Sequence, residues 1–187
     1  TNATLGAITE RTLTITDDDA PPTVDFTAAM QSVGEGAGTA TITAQLSTAS
    51  GLPVTVPYGV TGDATDPDDY TLAPNPIVIP AGMTTADVTV TLVGDLLDEN
   101  DETVVLTIGA PTNAGVGATN VHTLTINDDD ATPAVEFTAA MQSVGEGAGT
   151  ATITAQLSAA SGLPVTVPYG VAGDATDPDD YTLAPNP

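Results

Sequence analysis

The sequence contains no cysteine and no tryptophan, and its only histidine is His122. Without cysteine, neither a disulfide framework nor a thiolate metal site can form. A lone histidine at an inward position of a predicted strand indicates a structural residue, and no second histidine or cysteine is present to build a nucleophilic pair. We therefore expect that this protein is not an enzyme.

Basic side chains are almost absent as well. Asp and Glu together number 25 against one Lys or Arg, which gives a formal net charge of −24. Such a surface excludes nucleic-acid binding and attraction to anionic membranes, and no apolar run approaches the roughly 18 residues of a membrane helix. Two carboxylates about 4 Å apart repel by roughly 1–4 kcal/mol. Any acidic cluster must therefore be spread out, protonated or filled with metal.

The chain repeats itself. Pro22–Pro76 returns as Pro133–Pro187, 111 residues later, with only four of 55 positions changed, and Asp17–Asp19 returns as Asp128–Asp130. Self-similarity of this length indicates a tandem array. We therefore divide the chain into the end of a preceding repeat at 1–20, a complete repeat at 21–131, and the first half of a following repeat at 132–187.

Apolar and polar residues alternate with period two in the complete repeat. This pattern and the turn residues between the segments predict about seven short strands: Thr23–Thr27, Thr39–Leu46, Val54–Val60, Ile77–Ile79, Val88–Leu92, Val104–Ile108 and Leu124–Ile126. Seven strands in about 110 residues with no helical period predict an all-β, immunoglobulin-like, antiparallel β-sandwich with Greek-key connections. Phe26, Phe137 and Met30 are expected in its core.

Acidic residues avoid the strands and gather in loops. They concentrate at Glu35, Asp63–Asp69, Asp95–Glu102 and Asp128–Asp130, and several of these loops are expected at one end of the sandwich. Calcium takes six to eight oxygen ligands, which converging acidic loops supply, whereas zinc and copper favour histidine and cysteine. The Gly and the alternating Asp of an EF-hand loop are absent.

Five motifs, in order, are similar to those of the Calx-beta domain: Val33–Gly36, Gly62–Tyr70, Ile79–Gly82, Asp98–Glu102 and Ile126–Asp130. The resemblance covers the whole complete repeat and, by repetition, both partial ones. It implies a seven-stranded sandwich with Ca²⁺ bound by loops at one end, next to the following domain.

The resemblance also implies the ligands. Carried over position by position, they are Glu35, Asp69, Asp95, Glu99, Glu102, Asp128, Asp129 and Asp130, with the carbonyl of Leu97. The partial repeats would contribute Asp17, Asp18 and Asp19, and Glu146 with Asp180, to their own sites. Gly94 departs from the pattern of the Calx-beta domain of sodium–calcium exchangers, which has an acidic residue at this position, so fewer ions or a lower affinity are expected.

These observations predict a structural and adhesive module of a long secreted or cell-surface protein. Its partners would be the neighbouring repeats of the same chain, with calcium at the junctions stiffening the array. Two other classes remain open. One is a filament in which a strand of one copy completes the sandwich of another, and the other is an intracellular calcium sensor.

Overall fold

The computed structural model describes residues 2–183, which form strands and loops with very little helix. The complete repeat contains β1 (Thr23–Phe26), β2 (Met30–Gly34), β3 (Thr39–Leu46), β4 (Val54–Val56), β5 (Tyr58–Gly62), β6 (Tyr70–Leu72), β7 (Ile77–Ile79), β8 (Thr85–Leu92), β9 (Glu102–Ile108), β10 (Gly115–Val116) and β11 (Val121–Asn127). The following repeat adds β12 (Val135–Phe137) and β13 (Ala155–Leu157), and 3-10 helices lie at Glu35–Ala37 and Glu146–Ala148. Among the described residues, no helix is long and apolar enough to cross a membrane.

Two sheets pack face to face in the complete repeat. One has the order β10-β1-β3-β8-β6 and the other β2-β11-β9-β5, while β4 and β7 form a separate ribbon. The predicted all-β sandwich is confirmed. Two edge pairings, β1 with β10 and β2 with β11, are nevertheless parallel. For β2 the reason is that the chain changes sheets after Phe26, so that β2 joins the second sheet beside β11 and runs in the same direction as that strand.

Strand alternation accounts for the core. In β3, Ala40, Ile42, Ala44 and Leu46 are buried, and the residues between them are exposed or half-buried. The strands β8, β9 and β11 follow the same pattern. Full burial of one such aliphatic side chain contributes about 1.5–3 kcal/mol. The core is accordingly aliphatic, supplemented by three aromatic rings: Phe26, Tyr58 and Tyr70.

One predicted strand is divided. The segment 54–60 breaks at Pro57, and its two halves pair with different partners, β4 with β7 and β5 with β9. Proline has no N–H to donate to a ladder, which makes it a natural point for a strand to leave one neighbour for another.

Two residues predicted for the core lie outside it. Met30 is 78% exposed because it begins the edge strand β2 with its side chain on the outer face. Phe137 is 59% exposed, although its counterpart Phe26 is 2% exposed. The difference follows from pairing, since β12 pairs only with β13 in the described part of the following repeat.

His122 occupies the inward position expected for it. It is 2% exposed in β11, and its Nδ1 lies 2.7 Å from the carbonyl oxygen of Ala28. The imidazole also meets the Phe26 ring edge-on at 5.8 Å between centroids. Its contacts hold the chain where it passes from β1 to β2, which is a structural role.

Candidate metal centre

Strand register brings the acidic loops to one end of the sandwich. In the parallel pairing of β2 with β11, Gly34 is opposite Asn127, so Glu35 and Asp128 follow side by side. In the antiparallel pairing of β9 with β11, Glu102 is opposite Ile126. The convergence predicted from the sequence is thus a direct result of which strands are neighbours.

Asp69 reaches the same end through another pairing. It precedes β6, whose Tyr70 pairs with Leu92, and its carbonyl accepts a hydrogen bond from the Val93 amide at 2.9 Å. Its carboxylate accepts bonds from the Thr65 amide at 2.6 Å and from the Thr65 hydroxyl at 2.9 Å. These two bonds fix one carboxylate oxygen, Oδ2, within the loop.

Five carboxylates line one small cavity at this end. Its walls are formed by Glu35, Asp69, Glu99, Glu102 and Asp128, together with Val93, Asn100 and Ile126. The cavity volume is about 10 Å³, which is close to the room that a single water-sized particle needs. The space therefore suits one ion rather than an organic ligand.

A second acidic group adjoins the first. Carboxylate oxygens of Glu35, Asp129 and Asp130 all lie within 4.8 Å of one another. Asp129 fits here because Gly34 and Gly36 have no side chains, and a Cβ on either would lie 3.0 Å or 3.3 Å from Asp129 Oδ2. Glu35 belongs to both groups and joins them into one centre.

Two buried oxygens in this centre have no hydrogen-bond donor. They are Oδ1 of Asp128 and Oδ2 of Asp130. A buried acceptor without a partner costs about 1–3 kcal/mol, and more when it is charged. The single basic side chain of the sequence, Arg11, lies exposed in the preceding segment. Carboxylate oxygens whose lone pairs have no hydrogen-bond partner are suitable ligands for a hard cation such as Ca²⁺.

Crowding perturbs the titration of these acids. Burial, a hydrogen bond to Asp69 and repulsion from Asp69, Asp63 and Glu99 raise the pKa of Glu102 to about 7. Burial raises the pKa of Glu35 and Glu99 above the ordinary value, reinforced by the charges of neighbouring carboxylates.

Asp69 shifts in the opposite direction. Burial alone would raise its pKa, but hydrogen bonds from the Thr65 amide, the Glu102 side chain and the Thr65 hydroxyl lower it below the ordinary value. The hydrogen bond between the two side chains therefore raises the pKa of Glu102 and lowers that of Asp69.

The remaining predicted ligands of the complete repeat lie at the edge of the centre. The Asp95 amide is 3.4 Å from Glu35 Oε1, and the Asp95 carboxylate accepts the Leu97 amide at 2.7 Å. Neither residue lines the cavity, so their role as ligands stays a prediction.

The predicted ligands of the partial repeats stand apart from this centre. Asp17, Asp18 and Asp19 are exposed, as are Glu146 and Asp180. Asp180 Oδ2 is held by the Thr176 amide and hydroxyl, which repeats the contacts of Asp69 with Thr65. The loop that holds this aspartate, 65–69 in the complete repeat and 176–180 in the following one, therefore forms in both repeats. The calcium site predicted around Asp180 stays a prediction.

Sequence reasoning did not identify the residues that hold these ligands in place. Asp101 accepts the Asp128 amide at 3.1 Å and so fixes the start of the Asp128–Asp130 segment. Thr65 holds Asp69 in the same way. The Asp98–Glu102 motif carried a signal for Asp101, whereas nothing in the sequence distinguishes Thr65 from the many other threonines.

Gly94 sits against the backbone of the 3-10 helix. A Cβ at this position would lie 3.2 Å from the carbonyl carbon of Glu35 and 3.3 Å from the Gly36 amide nitrogen. Any side chain here requires the Glu35 segment to move by a few tenths of an ångström. Glycine at position 94 thus removes a possible carboxylate ligand and also lets the Gly94 loop lie close to the Glu35–Gly36 backbone.

Comparison with known proteins agrees with this architecture. The family model of the Calx-beta domain matches residues 17–130 and again 128–186. The chain belongs to the Calx-beta family. Calx-beta domains are binding and structural domains rather than enzymes. No curated protein matches the chain.

Solved Calx structures share the fold. The apo form of the Calx CBD1 domain matches with a TM-score of 0.54 and 18% identity over 59% of this chain and 100% of that domain. CBD12 from CALX1.2 matches with a TM-score of 0.54 and 20% identity over 65% of this chain and 52% of that one. The calcium binding domain CBD12 of CALX1.1 has the same score at 18% identity, over 66% and 52% respectively. This Calx-beta chain thus spans about half the length of the CBD12 structures.

Proposed function

We propose that this protein is a calcium-binding, non-enzymatic structural module of a tandem array. The observation that carries the proposal is the centre itself, in which five carboxylates line one ion-sized cavity and two buried oxygens lack donors. A divalent cation would satisfy those oxygens and cancel the mutual repulsion of the acids. Carboxylates from several loops suit Ca²⁺ better than Mg²⁺, which demands near-ideal octahedral geometry and keeps most of its water.

The position of the centre supports a role at the junction between repeats. Asp128–Asp130 both contribute to the centre and lead into the following repeat, and Thr132 contacts the Asp98 carboxylate at 3.0 Å. An ion bound here would hold the start of the linker to the sandwich. The array would then behave as a stiffened rod in calcium and as a flexible chain without it.

An extracellular or cell-surface location and an adhesive role complete the proposal. Near-identical tandem repeats and a net charge of −24 suit a long, soluble surface stalk. At millimolar extracellular calcium even a weak site is filled. The calcium-sensor alternative instead requires a tight intracellular site, which the absence of an acid at Gly94 disfavours.

Thermal unfolding of the full chain tests the proposal. A ligand that binds only the folded form stabilises it by about 2.7 kcal/mol at a hundredfold excess over its Kd. We expect the melting temperature to rise by several degrees in millimolar Ca²⁺ and far less in Mg²⁺, both relative to chelator. The variant Asp128→Asn should lose most of the rise, and Asp66→Asn, an exposed acid outside the centre, should keep it. Equal melting in calcium and chelator would sink the proposal.

One observation favours a second function, strand exchange between copies. Leu13 and Ile15 are 79% and 89% exposed, whereas their counterparts Leu124 and Ile126 are 0% and 5% exposed within β11. The segment therefore has the sequence of a core strand, but no strand pairs with it among the described residues, and a second copy is one source of such a sheet. Light scattering would show concentration-dependent oligomers, and the double variant Leu13→Asp/Ile15→Asp should abolish them. A strictly monomeric protein at high concentration would exclude this function.

A further inference from the structure

The following repeat makes specific contacts with the acidic end of the complete repeat. Ser161 forms a parallel bridge with Asp98. The carbonyl of Asp98 accepts a hydrogen bond from the Gly162 amide at 3.1 Å and one from the Ser161 hydroxyl at 3.5 Å. These contacts come from the loop 158–164 that follows β13, which we call the docking loop.

Gly162 lies directly against Glu99. A Cβ at this position would be 2.6 Å from Cγ and 2.9 Å from Cδ of Glu99, closer than unbonded atoms approach. With any other residue at 162, the Glu99 side chain would have to turn away from the position it has here. Because Glu99 also lines the acidic cavity, one residue connects the cavity to the docking loop of the next repeat.

The complete repeat contains the same loop, whose hydrogen bonds among the described residues are made within that repeat, for example from the Gly82 amide to the Ser50 carbonyl at 2.8 Å. Residues 47–53 are the counterpart of the docking loop, and the Leu52 amide bonds the Ser50 hydroxyl at 3.1 Å just as the Leu163 amide bonds the Ser161 hydroxyl. A Cβ at Gly51 would meet nothing within 4 Å. Leu52 is 58% exposed, whereas Leu163 is half-buried. The loop thus has the same internal bond in both repeats, and the surroundings differ.

The chemistry of the loop suits an acidic partner. Residues 158–164 read Ser-Ala-Ala-Ser-Gly-Leu-Pro and contain no charged side chain. A carboxylate here would be repelled by the Asp98–Glu102 segment, and a bulky residue would displace Glu99. Since the partners are tethered in one chain, an effective concentration in the millimolar range allows a small interface to hold.

We propose that residues 47–53 of each repeat, 158–164 in the following one, are the surface by which that repeat docks on the Asp98–Glu99 loop of the repeat before it. This inference deepens the proposed array function and rests on it. It identifies the partner of the exposed loop 47–53 as the Asp98–Glu99 loop of another copy of the repeat. It also identifies Gly162 as the position where the Glu99 side chain packs against the docking loop.

Disulfide trapping in the full chain tests the docking directly, because the protein has no other thiols. Bridge partners lie about 5 Å apart, within the Cα separation that a disulfide accepts. We expect Asp98→Cys/Ser161→Cys to form an intramolecular disulfide under mild oxidation. The matched control Asp98→Cys/Ser50→Cys uses the same loop of the complete repeat, which lies at the far end of β3, about 25 Å away. This control pair should form no intramolecular disulfide.

A second variant tests the glycine. Gly162→Val in the Asp98→Cys/Ser161→Cys background should slow trapping about tenfold or more. The added side chain would overpack against Glu99 and so lower the population of the docked state. Gly51→Val in the same background should leave the rate unchanged. Neither glycine has a positive φ, so both positions accept a side chain on backbone grounds.

Trapping is measured in calcium and in chelator, beside the calcium-dependent melting of the same proteins. Trapping without any calcium-dependent melting would support docking and contradict the proposed calcium function. Equal trapping of the 98–161 and 98–50 pairs, or none with either pair in both conditions, would overturn the docking. Equal rates for Gly162→Val and Gly51→Val would overturn the role of the glycine.

Discussion

Glu102 is the acid of the centre whose pKa is raised most clearly by its surroundings. Its pKa in the folded protein is raised from 4.5 to about 7 by burial and by its acidic neighbours. The folded state therefore holds a proton that the unfolded chain releases at lower pH. The stability that this group contributes is fully present below about pH 4.5 and is lost as the pH rises through about 7.

We therefore expect the ion-free protein to become less stable between pH 5 and pH 8. Glu102→Gln should flatten that decline, because the amide carries no charge at any of these values. Chemical denaturation in chelator at several pH values measures it. Glu10→Gln, an exposed acid outside the centre, serves as the control and should follow the unmodified protein. A decline of the same slope in Glu102→Gln would show that another group is responsible.

Gly94 provides a second test at the residue scale. Because a Cβ there would lie 3.2–3.3 Å from the Glu35–Gly36 backbone, Gly94→Ala should lower the free energy of unfolding by about 1 kcal/mol. Gly51→Ala, at a position with open space around it, should change it little. Urea titration distinguishes the two. Equal stability of both variants would mean that the loops at the acidic end separate freely.

Among the elements, β9 is the one whose packing matters most, since it lies between β5 and β11 in its sheet. Leu106 in its centre is 0% exposed. Leu106→Ala should cost about 2–5 kcal/mol through lost burial and the cavity that remains. Leu52→Ala, truncating an exposed leucine, should cost far less in the same denaturation experiment. A comparable loss in both variants would contradict the assignment of the core.

The long strands could be predicted because their alternation is unbroken. Thr39–Leu46 matches β3 residue for residue, and the segments predicted for β8, β9 and β11 lie within the longer strands observed. The short edge strand β2 could not, since Met30–Gly34 has an exposed methionine and no alternating apolar face. Its placement depends on pairing with β11, which is distant in sequence, and this pairing also brings Glu35 to the centre.

The candidate site could be predicted to a similar extent. Loops rich in Asp and Glu were expected at one end, and the cavity is lined only by acids from the predicted ligand set together with three other residues. The supporting bonds from Thr65 and Asp101 depend on loop conformation, which periodicity does not report. The joining of two acidic groups through Glu35 likewise emerges only from the three-dimensional register.

At the scale of the whole molecule, the position of the negative charge is related to the tandem repeats. A chain with 25 acidic residues and one basic residue concentrates part of its charge at the end of the sandwich that meets the next repeat. An ion there would act on two properties at once, the stability of one sandwich and the freedom of the linker. We therefore expect this end of the molecule to bind calcium.

Calorimetric titration of the full chain with CaCl₂ measures this binding. We predict saturable binding that Mg²⁺ does not reproduce, and a Kd at least about tenfold weaker in Asp128→Asn, equivalent to the loss of about 1.4 kcal/mol. Asp66→Asn should bind as the unmodified protein does. Binding that is absent at millimolar calcium, or unchanged in Asp128→Asn, would contradict a calcium site at this end of the sandwich.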